Sequence, residues 1–181
     1  MNNWSGRIDI STNGFLEMFG SLTPEELNWK PDSNTWSIAQ NIEHLITINS
    51  TFFPVVESIR SGTYKVPFWG RIGFLVSAVG SMLLRSVQAE TKARVSTFPI
   101  WEPSESDIAD GVLQRFEDHQ EELKILIADS QDLHDKGTVI SSPANRNLVY
   151  KLDTAFEILV VHETRHLEQA KRVLNVMNER K

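Results

Sequence analysis

The chain has 181 residues, of which 40% are hydrophobic and 23% are charged, and its formal net charge is -6. Such a length and composition suit one globular unit, so we expect a single domain over residues 1–181. An acidic chain gains little from phosphate backbones, so no nucleic-acid partner is expected. The sequence has no cysteine, which excludes disulfides, thiolate metal ligands and a cysteine nucleophile.

The first ten residues lack the apolar stretch of a signal peptide. The apolar run over 72–84 is shorter than the roughly 20 residues that a membrane span needs. We therefore expect a buried helix there, no membrane partner and a cytoplasmic location. Dimerisation of two copies through this helix is a further hypothesis.

In chain order, the first predicted helix covers 4–22, where buried-type residues recur at mostly heptad-like spacing. Thr23-Pro24-Glu25-Glu26 then has the pattern of a short capped helical turn. Ser37 and Gln40 form a second capping-box pattern, which should start a long helix over 38–59. Pro54 lies inside that helical pattern and should kink or divide the helix. Asn49 is the one polar position on its apolar seam.

The second half of the chain gives three more helical patterns, over 72–87, over 109–127 and from Asp153 onward, with Asp153 as the expected N-cap. The connections over 61–70, 97–106 and 129–148 have loop composition, and no strand alternation is evident. Four long amphipathic helices predict an all-α protein, a single four-helix bundle with crossover connections and an extra short helical insertion.

The most informative motif is His162-Glu163-Thr164-Arg165-His166 in the last helix. Residues four apart lie on one face of a helix, and this face is otherwise apolar, so both imidazoles should point inward. A buried imidazole needs a partner for each ring nitrogen, and one metal ion supplies a partner to both side chains. The alternative is a pair of core histidines that hydrogen-bond to neighbouring groups.

The same string matches the H-E-x-x-H pattern of zinc metalloproteases, in which Glu163 would be the general base. That reading also needs a third ligand downstream. Glu168 faces another side of the helix, and Glu179 is more than three turns away. The protease interpretation is therefore rejected, and Glu163 is expected to be a solvated carboxylate or to support the metal ligands.

His44 lies beside the apolar seam of the second long helix. It is either a boundary histidine or the third imidazole of a three-histidine metal face, and its surroundings in the sequence leave both open. His119 is expected to be a solvated boundary residue, with a supporting role near the metal as the alternative. His134 is given no role.

Two segments resemble a known family, the DinB/YfiT-like proteins. The string WSIAQNIEHL over 36–45 is similar to their entry to the second helix, and HETRHLEQ over 162–169 is similar to their C-terminal motif. The segments LTPEEL over 22–27 and WKP over 29–31 match the usual lead-in. The resemblance implies a four-helix bundle in which His44, His162 and His166 hold one divalent metal ion.

Relatives in that family include transferases that depend on bacillithiol or mycothiol. The resemblance therefore implies a metal-dependent hydrolase or S-transferase in which Zn²⁺ or Ni²⁺, or else Fe²⁺ or Mn²⁺, activates water or a low-molecular-weight thiol. The alternative is a non-catalytic, metal-stabilised stress-response or binding module. A small-molecule substrate would lie against an aromatic side chain, and Arg71 and Arg165 are weak candidates for anion binding. The aromatic candidates are Trp36, Phe68, Trp69 and Trp101.

Overall fold

The computed structural model describes residues 3–88, 97–104, 108 and 111–180, and most of these residues are helical. The helical class predicted from the sequence is therefore confirmed. The bounds of the helices are α1 (Trp4–Phe19), α2 (Pro24–Asn28), α3 (Ile38–Ser50), α4 (Phe53–Arg60), α5 (Gly73–Ser86), α6 (Val112–Asp129), α7 (Gln131–Asp135) and α8 (Leu152–Glu179). Two short 3₁₀ turns lie at Phe68–Arg71 and Pro99–Trp101.

The four long helices α1, α3, α6 and α8 pack side by side. Helix α8 contacts both α1 and α3, and α6 contacts the same two helices from the other side. Their inward faces form two apolar clusters, one around Leu123 and Leu159 and the other around Phe15 and Phe116. Gly14 allows α1 to lie close to α8, since a Cβ at this position would be 2.8 Å from Cδ2 of Leu167.

The predicted starts of α2 and α3 are confirmed. The Thr23 hydroxyl accepts from the backbone N–H of Glu26, and the Ser37 hydroxyl accepts from that of Gln40. In each case the side chain of the third helical residue, Glu26 or Gln40, accepts a hydrogen bond from the backbone N–H of the capping residue. The predicted break is confirmed as well, because α3 ends at Ser50 and a new helix, α4, holds Pro54 in its first turn.

Two predictions about the second half are wrong. The short helix α7 and strand β1 (Val139–Ser141) lie within the segment 129–148 that was predicted to be loop, and β1 forms a small antiparallel sheet with β2 (Val149–Lys151), which directly follows that segment. The two strands have three residues each, too short for a visible alternation of polar and apolar positions. Helix α8 begins at Leu152 with Lys151 as N-cap, so Asp153 is already inside the helix.

The apolar helix over 72–87 is confirmed as α5, but it is only partly buried. It packs against β2 and α8 through a face that includes Val76 and Gly80, while Phe74 and Met82 are exposed. In the part of the chain that the structure describes, no helix is long and apolar enough to cross a membrane. The predicted start of α6 at Ala109 lies outside the described residues.

Candidate metal centre

Three histidines from two helices meet in the interior. His44 comes from α3, and His162 and His166 come from α8; their relative exposures are 2%, 9% and 4%. One ring nitrogen from each can be chosen so that all three lie within 4.8 Å of one another. This arrangement could hold one metal ion, and it brings together the three residues that the sequence singled out.

The orientation of His44 is set by the backbone at the end of the 3₁₀ turn Pro99–Trp101. Its Nδ1 lies 2.6 Å from the carbonyl oxygen of Trp101. A carbonyl oxygen only accepts, so Nδ1 carries the proton and Nε2 keeps its lone pair. A histidine that binds metal characteristically donates its other ring N–H in this way.

His166 is oriented by a side chain of α3. Its Nδ1 lies 2.7 Å from Oδ1 of Asn41, and the amide nitrogen of Asn41 donates to the carbonyl of Ser37 at 2.8 Å. Because that second bond uses the Asn41 nitrogen, its oxygen faces His166 and accepts from Nδ1–H. Nε2 of His166 is therefore also left with a lone pair.

The lone pair of His166 points at His162, whose Nε2 is 2.9 Å away. Two lone pairs at that distance repel, so the gap needs either a proton on His162 Nε2 or a cation shared by the two rings. Zinc-bound imidazole nitrogens lie roughly 2.0–2.1 Å from the ion, which places two tetrahedral ligands about 3.3 Å apart. The donor set therefore fits a metal ion with small adjustments of the rings.

Burial lowers the pKa of all three histidines. For His162 and His166 the pKa falls well below the usual value, because burial disfavours the charged ring and the neighbouring histidines and Arg165 repel added positive charge. For His44 the effect of burial is partly offset by the hydrogen bond to Trp101. Neutral imidazoles are the form that binds metal, so the cluster is ready for a cation at neutral pH.

Trp36 forms the aromatic wall of the cluster. Its ring stacks on His166 at a centroid distance of 5.9 Å and a plane angle of 20°, and it lies 4.9 Å from the ring of His44. Trp101 contributes its carbonyl to His44 and packs its ring on Phe98. Phe68 and Trp69 contact each other on a turn that packs against α5 and the two strands, so they belong to another part of the molecule.

Glu163 is not solvated, contrary to the first of the two roles expected for it. It is fully buried, and its Oε1 accepts a hydrogen bond of 3.1 Å from the amide of Asn49. Burial raises its pKa to about 7, while the polar side chains of Gln120, Asn49 and Ser11 act in the opposite direction. Glu163 is thus next to His162 in sequence, but its side chain points about 100° away around the helix and meets separate, polar neighbours.

The other singled-out side chains lie elsewhere. His119 is buried at 7% exposure against Phe53, so the expectation of a solvated boundary residue is wrong. His134 lies beside Trp4 and Asp153. Arg165 is half-buried and donates to the carbonyl of Ser86 at 2.6 Å, which ties α8 to the end of α5.

Sequence reasoning missed Asn41 as a partner of the histidines. The available signal was a polar residue one turn after the Ser37 cap, on the same helix as His44 and three residues before it. This signal does not identify the partner of Asn41, because a position on one helix does not show which residue of another helix it faces.

A family model described as the DinB superfamily matches residues 7–170. The match spans most of the chain, and the protein therefore belongs to the DinB superfamily. No curated protein and no solved structure matches the chain.

Proposed function

We propose that His44, His162 and His166 hold one divalent metal ion and that the protein is a metal-dependent enzyme acting on a small molecule. The observation that carries this proposal is the convergence of three neutral imidazoles, two of which have their Nδ1 protons engaged elsewhere. Four long helices packed side by side supply the scaffold, which we take to be the four-helix bundle of the superfamily.

A divalent ion with three imidazole ligands lowers the pKa of a bound water or thiol and so supplies a nucleophile at neutral pH. Zn²⁺ and Ni²⁺ suit this set of nitrogens best, and Fe²⁺ and Mn²⁺ are further candidates. The chain has no cysteine, so a thiol nucleophile would have to be a low-molecular-weight cosubstrate. The reaction class proposed is hydrolysis or S-transfer.

The residues of the chain have distinct parts in this proposal. Trp101 and Asn41 hold His44 and His166 with Nε2 directed inward, and Trp36 covers one side of the two rings. Trp36 is only half-buried, so the rest of its ring offers an apolar contact to a bound substrate. The burial of the three histidines strengthens the electrostatic interactions inside the cluster.

The low exposure of the three rings favours a second candidate, a metal-stabilised binding module without turnover. The two differ in whether the metal keeps a position open to an outside ligand. Cobalt-substituted protein distinguishes them, since an added thiol such as cysteine changes the visible spectrum only if it reaches the metal. An unchanged spectrum at saturating thiol favours the module.

The first experiment is elemental analysis of protein purified without an affinity tag or added metal. We expect about one equivalent of metal per chain in the wild type and almost none in His162→Ala. His119→Ala is the matched control, because it removes a buried histidine outside the cluster and should keep the metal. The proposal fails if His162→Ala keeps its metal, or if the wild type takes up neither Zn²⁺ nor Ni²⁺.

A further inference from the structure

A second buried polar group lies in the interior, with one member from each of the four long helices. It consists of Ser11 in α1, Asn49 in α3, Gln120 in α6 and Glu163 in α8, and we call it the polar layer. All four side chains are buried, with relative exposures of 4%, 0%, 1% and 0%. Glu163 is the common member, because the polar side chains of the other three all act to lower the pKa of its carboxyl group, and Asn49 donates a hydrogen bond to it.

The polar layer separates the two apolar clusters of the core. Along α8, Leu159 belongs to one cluster and Leu167 to the other, and Glu163 lies midway between them. Along α6, Gln120 has the same place between Phe116 and Leu123. The layer is therefore a polar cross-section through a core that is apolar on both sides.

The layer is poorly satisfied. Within the described part of the chain, five of its polar atoms have no hydrogen-bond partner: Oγ of Ser11, Oδ1 of Asn49, both amide atoms of Gln120 and Oε2 of Glu163. Buried polar atoms without partners cost stability, and well-packed apolar residues in their place are often neutral or stabilising. Stability alone does not account for such a layer.

The one direct hydrogen bond of the layer joins the two helices that carry the histidines. Asn49 lies on α3, five residues or about 7.5 Å beyond His44, and Glu163 directly follows His162 on α8. If α8 slipped by one turn, about 5.4 Å, its leucine and phenylalanine side chains would still pack among apolar residues. Glu163, however, would then lie among apolar residues as well. Because His162 and His166 are four residues apart, the same slip would move one of them into the other's place and carry the other away, so that only one of the two would remain beside His44.

We propose that Asn49 and Glu163 are positioning residues, which fix α8 on α3 in the one alignment that brings the three histidines together. The apolar clusters supply the cohesion of the helices, and the polar layer supplies their register, as buried polar residues do in other helical assemblies. This inference rests on the proposed metal site, because its effect is measured on metal binding.

The test compares two substitutions that place leucine in the same layer. Asn49→Leu removes the hydrogen bond to Glu163, while Gln120→Leu alters the layer from α6, which carries no histidine of the cluster. Zinc affinity is measured by competition with a chelator, and the visible spectrum of bound Co²⁺ reports the ligand geometry. We expect at least about tenfold weaker zinc binding and an altered cobalt spectrum in Asn49→Leu, with both preserved in Gln120→Leu.

Glu163→Gln provides the conservative variant, since its side-chain oxygen still accepts from Asn49, and it should bind zinc like the wild type. Glu163→Met should weaken zinc binding as Asn49→Leu does, while its metal-free melting temperature stays equal to or above that of the wild type. If a variant fails to fold, the remaining leucine or methionine variant decides the comparison by the same readouts.

Several results overturn the inference. Wild-type affinity in Asn49→Leu and Glu163→Met would show that the alignment does not depend on this hydrogen bond, while the metal site itself would stand. Equal losses in Asn49→Leu and Gln120→Leu, or a failure of all the apolar variants to fold, would reduce the layer to a general structural element. A wild type that binds no zinc overturns both this inference and the proposed function.

Discussion

Two buried polar groups share helix α8, and they differ in how their atoms are paired. In the histidine cluster the outer nitrogens of His44 and His166 are hydrogen-bonded, and the inner nitrogens converge on one another. In the polar layer the atoms without partners are distributed over side chains from all four long helices. The first pattern fits one cation, whereas the second fits a role in alignment.

The comparison also shows how one helix serves two environments. His162 and Glu163 are neighbours in sequence, and both are buried, but burial shifts their pKa values in opposite directions. Burial disfavours the charged form of either group. The charged form is the protonated ring for histidine and the deprotonated carboxylate for glutamate. Both groups therefore tend toward neutrality. A neutral imidazole is the form that binds metal, whereas a carboxyl group binds metal in its deprotonated form.

The largest effect should come from metal itself, if the histidine cluster is the site. Zinc at about one hundred times its dissociation constant should stabilise the wild type by roughly 2.7 kcal/mol. For a chain of this size, that raises the melting temperature by roughly 5–10 °C. Thermal unfolding with zinc or with a chelator measures the shift. A double variant, His162→Ala with His166→Ala, should show none, and an equal shift in that variant would break the comparison.

The next effect concerns the partner of His166. Asn41→Leu leaves Nδ1 of His166 without its acceptor, so we expect zinc affinity to fall roughly 10- to 100-fold. Chelator competition measures the change. Asn28→Leu is the control, since that amide hydrogen-bonds the backbone of Ile108 and not a histidine, and unchanged affinity is expected there. Similar affinities in the two variants would contradict the assigned role of Asn41.

A smaller net effect is expected from pH in the metal-free protein, because the two groups oppose each other. The buried histidines have lowered pKa values, so the unfolded chain binds more protons below about pH 6.5 and acid lowers stability. Glu163, with its pKa raised to about 7, binds more protons when folded between about pH 4.5 and 7, so acid raises its contribution.

Glu163→Gln separates these two contributions. The variant lacks the titrating carboxyl, so its stability should fall more steeply than that of the wild type as the pH drops from 7 to 5. Urea unfolding of chelator-treated protein at several pH values measures the slope. Parallel curves for the two proteins would show that Glu163 does not titrate as its burial implies.

The smallest effect should come from the helix cap that precedes the site. Ser37→Ala removes a buried capping hydroxyl from α3 and should cost about 1 kcal/mol of stability. Thr23→Ala removes the corresponding cap from the short, exposed α2 and should cost less. Thermal unfolding compares the two variants, and a larger loss in Thr23→Ala would contradict the importance assigned to the start of α3.

Much of the helical layout could be predicted because its signals are local. The capping boxes at Ser37 and Thr23 and the break at Pro54 each involve residues within one turn of one another. The sheet was missed because each of its strands has only three residues, and the pairing of Val139 with Lys151 depends on a loop between them. Short strands carry too few positions to show a period of two.

Only part of the candidate site could be predicted, again because its signal is local. The spacing of His162 and His166 fixes both on one helix face, whatever the rest of the chain does. The surroundings of Glu163 were not predictable, because the residues that enclose it lie on three other helices. The neighbour of a residue in sequence says little about its contacts in space, because successive side chains point about 100° apart around the helix.

The sequence by itself determined where α2 and α3 begin and that two imidazoles share one face, since hydrogen bonding and side-chain direction within a helix repeat every turn. Only the tertiary structure decided that His44 joins them, that Trp101 and Asn41 leave an inner nitrogen free on two of the rings, and that Glu163 is buried beside Asn49. These contacts join residues between 57 and 125 positions apart, and only the packing of distant segments brings them together.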